Sequence, residues 1–346
     1  MQALNEVLKL RSPKILVTKF IIATNLLIFC AMLADGAGVW HSSNSVQLAW
    51  GANFGPATQD GEWWRLGSAM FLHFGIIHLL LNMWALWDAG QLAERMYGRL
   101  RFTSIYIVSG LLGNLLSLVV QGNSAVSGGA SGAIFGVYGA ILVFMWREKD
   151  AISAQEFRWL FWGALGFSIA SILFGFIIPG IDNSAHIGGF ISGILCAITL
   201  PKALTDIRPA TRPNLVSGGI ILLLTTTLIY NIPAAKYRWG DELLLRQQIE
   251  GFLLQEQAIN RSWLEIIQTD KDKNATTDEL ATQIDSAIAD RYEQSFEKLS
   301  QLPVNPALPS AAKLDDLLKY TERKKDESRA LAEKLRSQQS SAIQPQ

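Results

Sequence analysis

Seven stretches of this chain read as membrane-spanning helices. Apolar residues run together at 20–33, 76–92, 102–120, 131–145, 160–178, 186–200 and 216–232, some runs short or interrupted. A bilayer core about 30 Å thick takes roughly 20 apolar residues per helix. The loop charges alternate with these runs. Lys9, Arg11, Lys14 and Lys19 precede the first, and Arg95, Arg99 and Arg101 lie between the second and third. Arg147, Lys149 and Arg158 follow the fourth, and Lys202, Arg208 and Arg212 follow the sixth. The intervening loops hold only Arg65, with no Lys or Arg in 121–130 or 179–185. Cationic loops stay in the cytoplasm, so the N-terminus is expected inside and, after seven spans, the tail outside.

The expected fold class is therefore an all-α membrane protein. A cytoplasmic segment, 1–19, leads into a six-helix core over 20–200. A cytoplasmic loop and a seventh span fill 201–233, and 234–346 forms an extracytoplasmic helical tail. The first run also has the basic front and small-residue end, near Ala34 to Ala37, of a cleavable signal peptide. Its removal would leave six spans with the same alternation.

The tail is polar and helical in pattern. Thr276 and Glu279 make a capping box, in which each side chain satisfies a free N–H of the other's backbone. Leu280, Ile284, Ile288, Tyr292, Phe296 and Leu299 recur every three or four residues and predict one apolar face. Three prolines in 302–309 break the chain, a charged helix follows to about Arg336, and 337–346 reads as frayed. The tail carries no catalytic pattern. A partner outside the membrane, client selection and stabilisation of the fold all remain open as its role.

Composition narrows the classes. Of the 346 residues 49% are hydrophobic and 17% charged, with mean hydropathy +0.21 and formal net charge zero. No basic surface argues for nucleic acid. Cys30 and Cys196 lie inside apolar runs and read as packing residues, so no cofactor or metal set is expected.

Candidate chemistry comes from polar residues inside the apolar runs. Ionisable groups at that depth are costly, so they point to function. His78 and Asn82 are four apart and share one helical face, while His73, five before His78, points elsewhere or sits just before that helix. His78 and Asn82 offer N–H donors that could hold an oxyanion, or they form a polar seam between helices. Ser131 opens an apolar run with glycines at 128, 129 and 132. A helix start presents free N–H groups and favours negative charge, which suits a nucleophile and equally suits a simple N-cap. A serine nucleophile needs a base. Ala185, Gly189 and Gly193, four apart, make a small-residue stripe that lets another helix approach closely, and His186 stands beside it. If that helix packs on the one begun by Ser131, His186 comes within reach of the serine.

At these residues the chain resembles the rhomboid family of intramembrane serine proteases, over about 20–200. The family's tryptophan–arginine motif is matched by Trp64 and Arg65 within Glu62–Arg65, and its H-x4-H-x3-N by His73, His78 and Asn82. GxSG is matched by Gly129, Ala130, Ser131 and Gly132, and A-H-x2-G-x3-G by Ala185, His186, Gly189 and Gly193. Glu94 and Gly98 match the E-x3-G that follows. The resemblance implies a six-helix rhomboid-like transmembrane bundle; the seventh transmembrane helix, which resembles an extra helix seen after the core in some members, and the C-terminal soluble helical region lie outside that core. It implies a Ser131–His186 dyad with no acidic third member, and an oxyanion hole from Asn82, His78 and the Ser131 amide. It makes His73 structural. Some members carry tyrosine under the catalytic histidine where this chain has Phe135.

The implied activity is hydrolysis of transmembrane protein substrates within the lipid bilayer. Substrates that unwind easily are favoured, because helical carbonyls are already hydrogen-bonded. A bacterial plasma membrane fits the architecture. A zinc protease would want an acidic base in an HExxH pattern, which the histidines lack. A transporter would want paired repeats with broken helices, and no repeat is found. An inactive relative that binds membrane clients is the remaining alternative, but such relatives lose the serine or the histidine, and both stand in this sequence.

Overall fold

The structure, a computed structural model, describes residues 4–11, 14–199, 215–271, 275–302 and 305–342. Leu200 and the loop bearing Lys202, Arg208 and Arg212 lie outside them. The chain divides into two compact units, Met1–Ala235 and Lys236–Gln346.

The first unit starts with α1 (Leu4–Arg11) and α2 (Val17–Ala34). The long first loop carries three short helices, α3 (Asn44–Ala49), α4 (Gly55–Gln59) and α5 (Arg65–Ser68). Then come α6 (Ile76–Tyr97), α7 (Arg99–Gln121), α8 (Ser131–Arg147), α9 (Ala154–Ile177), α10 (Asn183–Thr199) and α11 (Leu215–Tyr230). Among the described residues, α2, α7 and α9 are long and apolar enough to cross a bilayer alone. A fourth crossing results if Arg65–Phe71 and Ile76–Tyr97, which meet at 92°, count as one bent span. Ser131–Arg147 and Asn183–Thr199 are apolar but shorter, 17 residues each.

The core of this unit is built around α8. Thirteen of its residues are buried, among them Val137, Ala140 and Met145. It is enclosed by α6, α7, α9 and α10, with Leu86, Phe102 and Ile105 packed beside it. By contrast α9 buries only Ala164 and Ser168 and exposes Trp159, Trp162, Leu173, Phe174 and Phe176. So large an apolar face is unsuited to water and natural against lipid.

Two devices fix the helix ends. The Glu94 carboxylate, on α6, accepts the N–H groups of Leu16 (2.8 Å), Val17 (3.0 Å) and Thr18 (2.8 Å) and the Thr18 hydroxyl (2.8 Å). The free amides at the start of α2 are thus capped by a neighbouring helix rather than by a local side chain. Four residues on, Gly98 adopts φ +77°, a conformation glycine takes without strain, and turns the chain from α6 into α7.

The second unit holds α12 (Trp239–Lys271), α13 (Thr277–Ile284), α14 (Asp290–Ser300) and α15 (Ala311–Ala342). A single wide turn, Asp285–Ala289, joins α13 to α14. Thr276 and Glu279 make both bonds of the capping box. Leu280, Ile284, Ile288 and Tyr292 pack with Ile259 and Ile266 of α12 and Ala332 of α15, while Phe296 is half-buried. The last helix does not stop near Arg336 but runs to Ala342, because serine, glutamine and alanine break no helix before Pro345.

Candidate active site

The site forms where α8 and α10 touch backbone to backbone. A Cβ added to Gly189 would lie 1.9 Å from the Gly132 carbonyl oxygen, and one on Gly193 would lie 2.0 Å from that of Gly136. A Cβ on Gly113 of α7 would meet the Ala185 carbonyl oxygen of α10 at 2.6 Å. Only glycine permits this approach. It brings the first turns of α8 and α10 together.

Ser131 is the first residue of α8, and His186 lies one turn into α10. Their side chains meet, with Ser131 Oγ 2.9 Å from His186 Nε2. The Phe135 ring, one turn after Ser131, stacks on the imidazole at 4.3 Å between centroids and 15° between planes. The other ring nitrogen, His186 Nδ1, has no hydrogen-bond partner among the described residues.

The His78 ring closes a third side. Gly129 takes φ +145°, and a Cβ there would lie 2.9 Å from His78 Cε1 and 3.6 Å from Ser131 Oγ. The His78 ring, Gly129 and the serine therefore bound one small space. The Ser131 N–H, in the first turn of α8, has no intrahelical partner by geometry and faces this end of the helix. Asn82 is buried one turn below His78, and its Nδ2 donates to the His78 carbonyl oxygen at 2.8 Å. His73 is fully buried, and its ring meets that of His78 edge-on at 5.0 Å. The Gln47 amide donates to the His73 carbonyl oxygen at 2.9 Å.

Trp64 and Arg65 are away from this cluster and organise the first loop. The Arg65 guanidinium is buried. It donates to Glu62 Oε2 (2.5 Å) and to the carbonyl oxygens of Leu48 (2.7 Å) and Ala52 (3.1 Å). It also lies 4.9 Å from the Trp64 ring centre. Trp64 in turn packs on Gly51, where a Cβ would lie 2.3 Å from the indole ring.

One group was not singled out in the sequence. Asp182, just before α10, accepts four hydrogen bonds. They come from Ser117 Oγ (2.5 Å), Ser127 Oγ (2.6 Å), Ser184 Oγ (2.5 Å) and the Ala185 N–H (3.1 Å). Burial raises its pKa, but the three hydroxyls and the amide outweigh burial and hold the carboxyl below its ordinary 3.8. The signal was the spacing of Asp182 and His186, four residues apart at the start of one helix. Among the described residues no three His, Cys, Asp or Glu side chains gather as metal ligands.

These features define a polytopic helical bundle with a close serine–histidine pair at the joined ends of two helices. A family model described as the Rhomboid domain matches residues 60–203. The chain is 36% identical to "Rhomboid protease GluP" of Bacillus subtilis (strain 168) over 220 residues, 62% of this chain and 40% of that protein. It is 35% identical to "Putative rhomboid protease YdcA" of the same strain over 186 residues, 52% of this chain and 88% of that one. It is 41% identical to "RHOMBOID-like protein 1" of Arabidopsis thaliana over 134 residues, 39% of this chain and 33% of that protein. The chain thus spans less than half the length of GluP and of the plant protein. It belongs to the rhomboid family and is a multi-pass membrane protein.

Proposed function

We propose that the protein is an intramembrane serine endopeptidase that cuts transmembrane segments of other membrane proteins. Ser131 is the nucleophile and His186 the general base. The observation that carries this is the 2.9 Å contact between Ser131 Oγ and His186 Nε2. That distance lies within the range a nucleophile–base pair needs. The names of GluP and YdcA support the same activity.

The chemistry follows from the groups present. His186 Nε2 takes the hydroxyl proton as Ser131 Oγ attacks the scissile carbonyl carbon. The carbonyl oxygen becomes an oxyanion in the space bounded by His78, Gly129 and Ser131. There the Ser131 N–H, the His78 ring N–H and an Asn82 amide hydrogen would stabilise it. Asn82 has two amide hydrogens, and the His78 carbonyl takes one. The proton on His186 passes to the leaving amine. Water then attacks the acyl-enzyme, with His186 again as base. Phe135 holds the imidazole plane through both steps, and His73 supports His78 from behind.

The depth of the site follows from helix length. Seventeen residues at 1.5 Å each make α8 about 25 Å long, short of a 30 Å hydrocarbon core. With Arg147 at the inner face, Ser131 lies several ångströms beneath the outer one. Water reaches it from that side. A helical substrate has its carbonyls hydrogen-bonded, so segments that unwind easily are cut. The N-terminus is cytoplasmic, the tail extracytoplasmic, and the membrane a bacterial plasma membrane. The core is 20–200, followed by a seventh span and a helical tail.

A fluorophosphonate probe tests the serine directly. Labelling of the detergent-solubilised protein, mapped by mass spectrometry to Ser131 and lost in Ser131→Ala and His186→Ala, is the expected result. Undiminished labelling of Ser131→Ala, or none at Ser131 in a folded wild type, would overturn the assignment.

A further inference from the structure

The Asp182 carboxylate is held by more than a cap requires. Its Oδ1 accepts the Ser184 hydroxyl and the Ala185 N–H, which tie off the start of its own helix. Those two bonds suffice to cap α10. Its Oδ2 does something different. It accepts Ser117 Oγ, from the last turns of α7, and Ser127 Oγ, from the loop that leads into Ser131. An ionised carboxylate has about four acceptor positions, so the set is complete, and each bond is stronger for the charge.

The spacing is the telling feature. Ser127 lies four residues before Ser131, and Asp182 four residues before His186. The Asp182–Ser127 bond and the His186–Ser131 bond therefore join the same two segments at the same offset of 55 residues. The chain between each pair is stiff. The His186 N–H donates to the Asp182 carbonyl oxygen at 3.2 Å, which closes one helical turn. Ser127 exchanges both backbone bonds with Asn53, each 2.8 Å. The Gly129 N–H donates to the Ala69 carbonyl oxygen at 2.8 Å. A slip at the Asp182–Ser127 bond thus has nowhere to go but into the Ser131–His186 distance.

We propose that Asp182 is a positioning residue for the serine–histidine reaction, holding the nucleophile's loop and the base's helix in register through Ser127 and Ser117. This rests on the reading of Ser131 as nucleophile and His186 as base. Asp182 touches neither substrate nor the reacting atoms. Its negative charge, one turn from His186, also favours the imidazolium that forms as the serine proton moves. Acyl transfer depends on near-attack geometry, and an error of about 1 Å costs on the order of 100-fold.

The test is steady-state cleavage of a model transmembrane substrate in liposomes by the full chain. Wild type is compared with Asp182→Ala, Ser127→Ala and the double variant, and Ser131→Ala runs beside them. The expected result is a fall in kcat of about 10- to 100-fold for Asp182→Ala with KM within about threefold. Ser127→Ala falls less, and the double variant falls no further than Asp182→Ala, since the two residues act through one bond. Asp182→Asn, which keeps the side chain's size and loses its charge, carries the test if Asp182→Ala does not fold. A kcat within threefold of wild type for every folded Asp182 variant would overturn the proposal. So would a rise in KM alone, or losses that add in the double variant. If Ser131→Ala itself cleaves, the underlying serine mechanism fails. If it is inert while the Asp182 variants match wild type, only the positioning role fails.

Discussion

Gly189→Ala is the smallest change that separates Ser131 from His186 without touching either. The new methyl would sit 1.9 Å from the Gly132 carbonyl oxygen, 2.7 Å from its carbon and 3.1 Å from its Cα. All three are backbone atoms in the first turn of α8, so no side chain can swing aside. Ordinary contact begins near 3.4 Å, which leaves the methyl about 1.5 Å short and forces α10 away from α8. Half that displacement takes the 2.9 Å Ser131–His186 contact past the 3.5 Å limit of a hydrogen bond. Overpacking of this kind costs about 1–3 kcal/mol of stability, which a helical membrane bundle can survive. Catalysis should suffer more, by about 100-fold in kcat, because geometry enters the chemical step directly. The assay is cleavage in liposomes, with unfolding in detergent followed in parallel. Gly163→Ala, on α9 where a Cβ meets nothing within 4 Å, is the control and should cleave like wild type. A folded Gly189→Ala that cleaves within threefold of wild type would refute the reasoning, since close approach of α10 would then not be what the site requires.

Other predictions follow from the same geometry. Phe135→Ala removes the ring stacked on His186 and should lower kcat about 2- to 10-fold with little change in KM, measured in the same cleavage assay. Arg65→Met removes the buried guanidinium that donates to Glu62 and to the Leu48 and Ala52 carbonyls and should destabilise the first unit by about 2 kcal/mol, read from its Tm in detergent. The Asp182 carboxyl titrates below its ordinary 3.8 when folded. Its contribution to stability is therefore fully present above 3.8 and is lost only as pH falls through the lower folded value. The Tm difference between wild type and Asp182→Asn should stay flat from pH 8 to pH 5, and a difference that vanishes within that range would contradict the bonding described.

The pattern of small residues is what made the helix pairing legible. Ala185, Gly189 and Gly193 signal close approach, and His186 beside them signals what the approach is for. The tail's apolar positions at 280, 284, 288 and 292 read directly as a buried face because they recur every four residues through α13, the wide turn and α14. The first loop was opaque for the opposite reason. Its three short helices are held by Arg65 reaching back to Leu48 and Ala52, and by Ser127 pairing with Asn53, contacts that leave no local period. Asp182 escaped notice because its partners at 117 and 127 lie 65 and 55 residues away, and it stands one residue outside an apolar helix. The cap on α2 was hidden likewise, since its donor groups and Glu94 are more than 70 residues apart.

The central claim is that one serine and one histidine, 2.9 Å apart, carry out peptide-bond hydrolysis inside the membrane. Its most direct measurement is cleavage of a model transmembrane substrate in liposomes by wild type, Ser131→Ala and His186→Ala, each shown to be folded. Cleavage by wild type within the substrate's transmembrane segment, with both variants inert, is the predicted result. Cleavage by folded Ser131→Ala at a rate near that of wild type would contradict it.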